Sequence, residues 1–294
     1  MGAILRSKAI ISVLAAILLL SHHNTPGESA SQSPRANLPP GKKLFGIMLR
    51  PSSSVLLETV ERLYGKPVRE EETDKFPPGK FGESTVDEEG TPVIIINSSR
   101  GRTERNIIHE LYHLRLRAEG SPILTGHFAG VRSSRESRQL LSSLIPYFHD
   151  FIQHWIFYPE MRKMGLDPAA DIKSDYERIL GVDKFQTLNE SDVKGLALEY
   201  WKTALELDDP ELLGRIGKWY ERKGWGSSLA KGKQLKEIVE SASPRQADEE
   251  VDALLRCLNA FYEGEYKFEL EARDKEMHGK FLQRIAVIRI LPGG

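Results

Sequence analysis

The chain has 294 residues, of which 40% are hydrophobic and 28% are charged. These fractions are close to those of globular proteins, so they exclude a fibrous or an intrinsically disordered chain. Lys and Arg total 41 against 42 Asp and Glu, and the formal net charge of -1 excludes the broad positive surface of a dedicated nucleic-acid-binding protein. The single cysteine, Cys257, excludes a disulfide framework and a cysteine-rich metal site, so any metal ion would be bound by histidines and carboxylates.

The N-terminal residues have the pattern of an export signal. Arg6 and Lys8 precede an apolar run at 9–20, which is followed by small and polar residues. This order is typical of a secretory signal, and the run is shorter than the roughly 20 residues of a membrane-spanning helix. We expect a signal peptide at 1–30, a linker at 31–43 and an exported protein of the periplasm, the cell envelope or the medium. Only an uncleaved N-terminal segment would associate it with a membrane.

Folded structure is expected from residue 44 onward. Ser53 or Ser54 can cap a helix that ends at Tyr64, where a glycine follows. Two β-like runs come next, at 66–70 and at 92–97, and the second is almost entirely β-branched and apolar. The pattern therefore begins with one helix and a small sheet.

The rest of the chain has mostly helical patterns. Thr103 can cap a helix with one apolar face, and Gly120 can end it. From residue 133 helical patterns dominate, up to a final amphipathic run at about 265–290. This order predicts an α+β protein with a small antiparallel or mixed sheet. We expect a first domain at 44–182 and a mostly helical C-terminal subdomain at 183–294.

The residues His109-Glu110-Leu111-Tyr112-His113 form an HExxH motif within the helix after Thr103. Positions i and i+4 share one helical face, with Cβ atoms about 5–6 Å apart, so both imidazoles can bind one zinc ion at Zn–N distances of about 2.1 Å. Glu110 is rotated by about 100° around the helix axis, where it can act as general base on a zinc-bound water. The alternative is that all three are ordinary helix residues.

With the strands before it, the motif resembles the active site of the zincin metallopeptidases, over residues 45–160. In that family an edge strand beside the active-site helix pairs with the extended substrate, and the resemblance gives this place to 92–97. It implies that His109 and His113 bind Zn²⁺, that Glu110 activates the attacking water and that the substrate is a peptide or protein. The residues after His113, LRLRAEG, do not place a glycine and a third histidine at the spacing of the metzincin motif HExxHxxGxxH. The metzincin subclass is therefore excluded.

The third zinc ligand must come from another part of the chain. The stretch at 144–158 is apolar nearly all round and predicts a buried helix, so its Asp150 and His154 need polar partners. These two residues share one face of the helix, so one can bind the ion while the other orients the side chain of that ligand. We favour His154. The alternatives are Asp150 itself, Glu136 and His127, whereas His149 points about 140° away from His154 and fits a core histidine better.

These residues predict an exported zinc-dependent hydrolase, foremost a metallopeptidase in which Glu110 activates a zinc-bound water to attack peptide bonds. The oxyanion donor that such a reaction needs is left open among Tyr147, Tyr158 and His127. The alternative function is a non-catalytic exported binding protein with a structural or vestigial metal site.

Overall fold

The structure, a computed structural model, describes residues 41–77, 79–129, 135–180, 193–278 and 281–293, with backbone alone at 135–142 and at 278. The predicted signal peptide at 1–30 and most of the predicted linker at 31–43 lie outside the described residues. None of the helices in these ranges combines the length and the hydropathy that a membrane span requires.

The first described elements are a short hairpin and a helix. Strands β1 (Lys43–Leu44) and β2 (Ile47–Met48) pair antiparallel, and α1 (Pro51–Tyr64) follows them. This helix begins at Pro51, two and three residues before the predicted caps Ser53 and Ser54, because the proline occupies its first turn and Ser53 is buried inside it. Its end is as predicted, since Gly65 has the left-handed φ of 67° that closes a helix.

The first three-stranded sheet contains β3 (Arg69–Thr73), β4 (Gly82–Val86) and β5 (Pro92–Asn97), in the order β3-β5-β4. Strand β5 is parallel to β3 and antiparallel to β4. The predicted edge position of 92–97 is therefore wrong. Because Val93, Ile94 and Ile96 are at most 1% exposed, this strand is covered on both faces, as central strands are. The edge strand on that side is β4, which the sequence analysis did not predict.

The motif helix, α2 (Glu104–Ala118), begins as predicted. The Thr103 side chain accepts a hydrogen bond from the backbone N–H of Asn106. The apolar face of the helix is completely buried, and it packs against α1 and the first sheet. That face consists of Ile107, Ile108, Leu111 and Leu114.

In the described residues between 135 and 261, the predicted run of helices is confirmed. It comprises α3 (Arg135–Lys163), α4 (Ala170–Leu180), α5 (Val193–Glu206), α6 (Pro210–Arg222), α7 (Gly226–Ala242) and α8 (Ala247–Phe261). Helix α3 contacts α2 on one side and both α5 and α8 on others. It therefore joins the motif helix to the later part of the chain.

The final amphipathic run is not a helix. Strands β7 (Tyr266–His278) and β8 (Phe281–Pro292) form a long antiparallel hairpin, and β8 also pairs in parallel with β6 (Ile123–Phe128). The helix predicted at 265–290 is therefore wrong. Buried and less buried residues alternate along β8 near its C-terminal end, with Ala286, Ile288 and Ile290 buried, which is the period of a strand.

One hydrophobic core contains residues from both sides of the predicted domain boundary at residue 182. It contains Phe148 of α3, Trp201 of α5, Leu254 of α8 and Ile288 of β8. Strand β6 from the first part of the chain shares a sheet with β7 and β8 from the last part. The fold class is α+β, and the segments on the two sides of residue 182 share a sheet and a core.

Candidate metal centre

Three histidines from two helices converge at the contact between α2 and α3. His109 and His113 lie one turn apart on α2, and His154 lies on α3. One ring nitrogen from each can be chosen so that all three atoms lie within 4.8 Å of one another. The Nε2 atoms of His109 and His113 are 3.1 Å apart. The structure thus brings together the three residues that the sequence analysis favoured as ligands.

The three nitrogens fit a zinc ion. Ligands at about 2.1 Å from a tetrahedral zinc are about 3.4 Å from one another. The 3.1 Å between Nε2 of His109 and Nε2 of His113 is close to this value, and all three nitrogens lie within 4.8 Å of one another. In the described part of the chain, the Nε2 atom of His154 is buried and has no hydrogen-bond partner. A buried nitrogen without a partner is costly, and an ion at this position would satisfy it.

The protonation of the two α2 histidines also suits an ion. Burial lowers the pKa of His113 to about 4, and burial together with the neighbouring His154 lowers that of His109 well below its usual value. Both rings are therefore neutral at pH 7. A neutral imidazole keeps the lone pair with which it binds a metal.

The carboxylate of Asp150 lies beside two of these histidines. Its oxygens are 3.4 Å from Nε2 of His113 and 3.6 Å from Nε2 of His154. Burial opposes ionisation of Asp150, but His154 and His113 outweigh it and lower the pKa of the carboxyl. The side chain is 46% exposed, so Asp150 lies on the open side of the centre.

His154 is held by two further contacts. Its Nδ1 is 2.6 Å from Oε1 of Glu206, a carboxylate of α5 that is 1% exposed. Its ring stacks on Tyr158 with centroids 4.6 Å apart and planes at 13°. Burial lowers the pKa of His154, but Asp150 and Glu206 raise it more strongly, so that it lies above its usual value. A carboxylate on Nδ1 would direct the Nε2 lone pair towards an ion, as in many zinc proteins.

Glu110 lies between α2 and the edge strand β4. It is 6% exposed, and a Cβ atom added to Gly82 of β4 would lie 3.1 Å from its Oε1. Burial and the charge of Asp150 raise the pKa of Glu110 to about 8, while a hydrogen bond with Ser84 opposes this shift. Strand β4 therefore packs directly over the carboxyl that the sequence analysis assigned as general base.

Two of the other predicted candidates, His127 and His149, lie elsewhere. His127 is on β6, with a side chain 49% exposed and its Nε2 3.3 Å from Glu271. His149 is buried against Glu250, with 3.0 Å between Nε2 and Oε2. The side chain of Glu136 lies outside the described residues. His127 and His149 are not brought into the histidine cluster.

Sequence reasoning missed Glu206 and Gln153, which contact His154 and His113 respectively. Glu206 carried a usable signal, because it is a carboxylate in a strongly apolar helix, the same argument that singled out Asp150. Gln153 is an uncharged residue next to His154 and carried no such signal.

Comparison with protein-family models, with curated proteins and with solved structures found no match to this chain.

Proposed function

We propose that this protein is a zinc-dependent hydrolase that acts on peptide bonds. The observation that carries the proposal is the histidine cluster of His109, His113 and His154 with Glu110 buried beside it. Two ligands on one helical turn, a third from a neighbouring helix and an adjacent carboxyl are the parts that metal-assisted hydrolysis requires.

The residues of the site would have separate roles. His109, His113 and His154 hold the ion, and Glu206 orients His154. When bound, zinc supplies Lewis acidity, which makes water nucleophilic near neutral pH and polarises a carbonyl oxygen. A pKa of about 8 leaves part of Glu110 ionised near neutral pH, and in this form its carboxylate would accept a proton from the attacking water and could pass it to the leaving amine. Of the three candidate oxyanion donors, Tyr158 is the one whose ring contacts the ligand histidines: it stacks on His154 and meets His109 edge-on.

The edge strand β4 supports a peptide as the substrate. In the described part of the chain β4 pairs with β5 alone, so one row of its backbone N–H and C=O groups has no strand partner. An extended peptide can add to such an edge through main-chain hydrogen bonds. Because Gly82 and Ser84 of β4 lie against Glu110, a peptide bound there would pass close to the general base.

A second function is favoured by Asp150. Its oxygens lie 3.4 and 3.6 Å from two of the ligand nitrogens, which is the spacing of a fourth ligand. Four protein ligands would close the site, as in structural zinc sites, and the chain would then be a binding protein without hydrolytic activity. With either function, the expected export of the protein depends on residues 1–30 alone.

Glu110→Gln separates the two functions. We expect the variant to keep its zinc, because the three histidines are unchanged, and to lose hydrolysis of an unstructured protein such as casein by about 10²- to 10⁴-fold. The matched control is Glu119→Gln, at the end of the same helix, where the side chain is 41% exposed and pairs with Arg115. Zinc binding without hydrolysis by the parent protein would favour the closed site. An active parent with an equally active Glu110→Gln variant would contradict the role of Glu110.

A further inference from the structure

A chain of hydrogen bonds leads away from His113 to a buried carboxylate in the C-terminal part of the protein. Nδ1 of His113 is 2.8 Å from Oε1 of Gln153, and Nε2 of Gln153 donates to Oγ of Ser121 at 2.6 Å. The Ser121 hydroxyl donates to Oε2 of Glu250 at 2.6 Å, and Nε2 of His149 lies 3.0 Å from the same oxygen. Ser121, His149 and Glu250 are 3%, 8% and 1% exposed.

The direction of each hydrogen bond follows from Glu250. A carboxylate oxygen accepts, so the hydroxyl hydrogen of Ser121 points to Oε2 of Glu250. The oxygen of Ser121 is then free to accept from the amide NH₂ of Gln153. This orientation turns the amide oxygen of Gln153 towards His113, and since that oxygen can only accept, Nδ1 of His113 carries the hydrogen. The lone pair of the neutral ring is then on Nε2.

The reverse arrangement does not fit the distances. If the Gln153 amide were turned round, Ser121 would donate to Gln153, and two acceptor oxygens would face each other across the 2.6 Å between Ser121 and Glu250. The tautomer of His113 is therefore determined by a carboxylate that does not touch it.

We infer that Gln153, Ser121 and Glu250 are positioning residues that set the tautomer and the ring orientation of His113. The inference rests on the proposed function, in which Nε2 of His113 binds zinc. This inference gives a role to α8, the helix that carries Glu250. With Glu206 on α5, two of the three proposed ligands are then supported by residues of the later helices. Such supporting contacts are as characteristic of metal centres as the ligands themselves.

The test is Glu250→Gln, which keeps the shape of the side chain and removes its charge. Its amide can donate to Ser121. Every hydrogen bond in the chain from His113 through Gln153 and Ser121 to Glu250, which we call the relay, could then reverse. We expect zinc affinity, measured by competition with a chelator, to fall about 10- to 100-fold. In the zinc-free protein, we expect the ¹⁵N shifts of the His113 ring to show Nδ1–H in the parent and a larger share of Nε2–H in the variant.

Two further variants make the test decisive. Asp252→Asn is the matched control, because this carboxylate is on the same helix and 71% exposed. The zinc affinity of this variant should differ from that of the parent by less than about twofold. Ser121→Ala breaks the relay with a smaller change, and it replaces Glu250→Gln if that variant does not fold. A folded Glu250→Gln or Ser121→Ala protein with the parent tautomer and the parent zinc affinity would overturn the inference. A parent without zinc affinity would instead overturn the proposed function, while the ring shifts would still test the relay.

Discussion

Glu206 acts on His154 as the relay acts on His113. Its carboxylate is 2.6 Å from Nδ1 of His154 and almost completely buried, so it favours the tautomer with a free Nε2 lone pair. The negative charge also stabilises the ring when Nε2 faces a cation. Glu206 is therefore expected to contribute to zinc affinity without touching the ion.

Glu206→Gln should weaken zinc binding by about tenfold, because the amide oxygen can still accept from Nδ1 but the charge is lost. The dissociation constant, measured by chelator competition, checks this. Glu211→Gln, an exposed position at the start of the next helix, is the control and should bind zinc like the parent. Equal affinities in all three proteins would show that Glu206 does not orient His154.

At the scale of single residues, the sequence predicted what helical geometry alone determines. The pairing of His109 and His113 follows from their spacing on one helix, and His154 followed from the cost of burying a polar group in an apolar helix. The burial of Glu206 could have been predicted in the same way, but its pairing with His154 and the contact of Gln153 with His113 could not, because they depend on how α3 packs against the motif helix and α5 against α3. Such contacts are set by tertiary structure.

At the scale of elements, the turn between β4 and β5 depends on Asp87. Its carboxylate accepts hydrogen bonds from the backbone N–H groups of Thr91 and Glu89 and pairs with Arg69. The backbone hydrogen bond from Thr91 is the main cause that lowers the pKa of Asp87 below its ordinary 3.8, and Arg69 adds to it. Since β4 packs over Glu110, this turn also holds the proposed substrate-binding edge.

Asp87→Asn should lower the Tm slightly at pH 7. A carboxyl with a lowered pKa in the folded state stabilises the protein above its unfolded pKa, and this contribution is lost as the pH falls through the folded pKa. The difference in Tm between parent and variant should therefore shrink as the pH falls below the ordinary 3.8 of this group. Thermal unfolding from pH 7 to pH 3 measures this, with the exposed Asp74→Asn as control. A difference that is constant over this range would exclude a role for the charge.

The elements that were predicted well are those with local signals. Helix α2 has its cap at Thr103 and α1 its end at Gly65, as expected. The hairpin at 266–292 was predicted as a helix, because its charged residues also fit an amphipathic helix. Its true structure depends on pairing with β6, which is more than a hundred residues earlier in the chain. The central position of β5 likewise depends on partners that its own sequence does not specify.

At the scale of the whole molecule, the core and the second sheet connect the candidate metal centre to the C-terminal strands. Helix α3 carries His154 and shares a core with β8, in which Ile288 is completely buried. We therefore expect the described chain to unfold as one cooperative unit, although the sequence alone suggested a boundary at residue 182.

Ile288→Ala should lower the free energy of unfolding by about 2–5 kcal/mol, the cost of a cavity in a well-packed core. Urea unfolding followed by far-UV circular dichroism and by tryptophan fluorescence should give one shared, shifted midpoint. Leu282→Ala is the control, since this side chain is 47% exposed, and it should change stability by less than about 0.5 kcal/mol. Two separate transitions, only one of them shifted by Ile288→Ala, would show that the parts on either side of residue 182 unfold independently.

The central claim is that one zinc ion joins α2 to α3 through His109, His113 and His154. Zinc content per chain, measured by plasma mass spectrometry on the purified protein, on His154→Ala and on His127→Ala, tests it most directly. His127 is the matched control because it is a histidine outside the cluster, 49% exposed on β6. We predict one zinc ion per chain in the parent and in His127→Ala, and its loss from His154→Ala. A parent without zinc, or a His154→Ala variant that keeps it, would contradict the account.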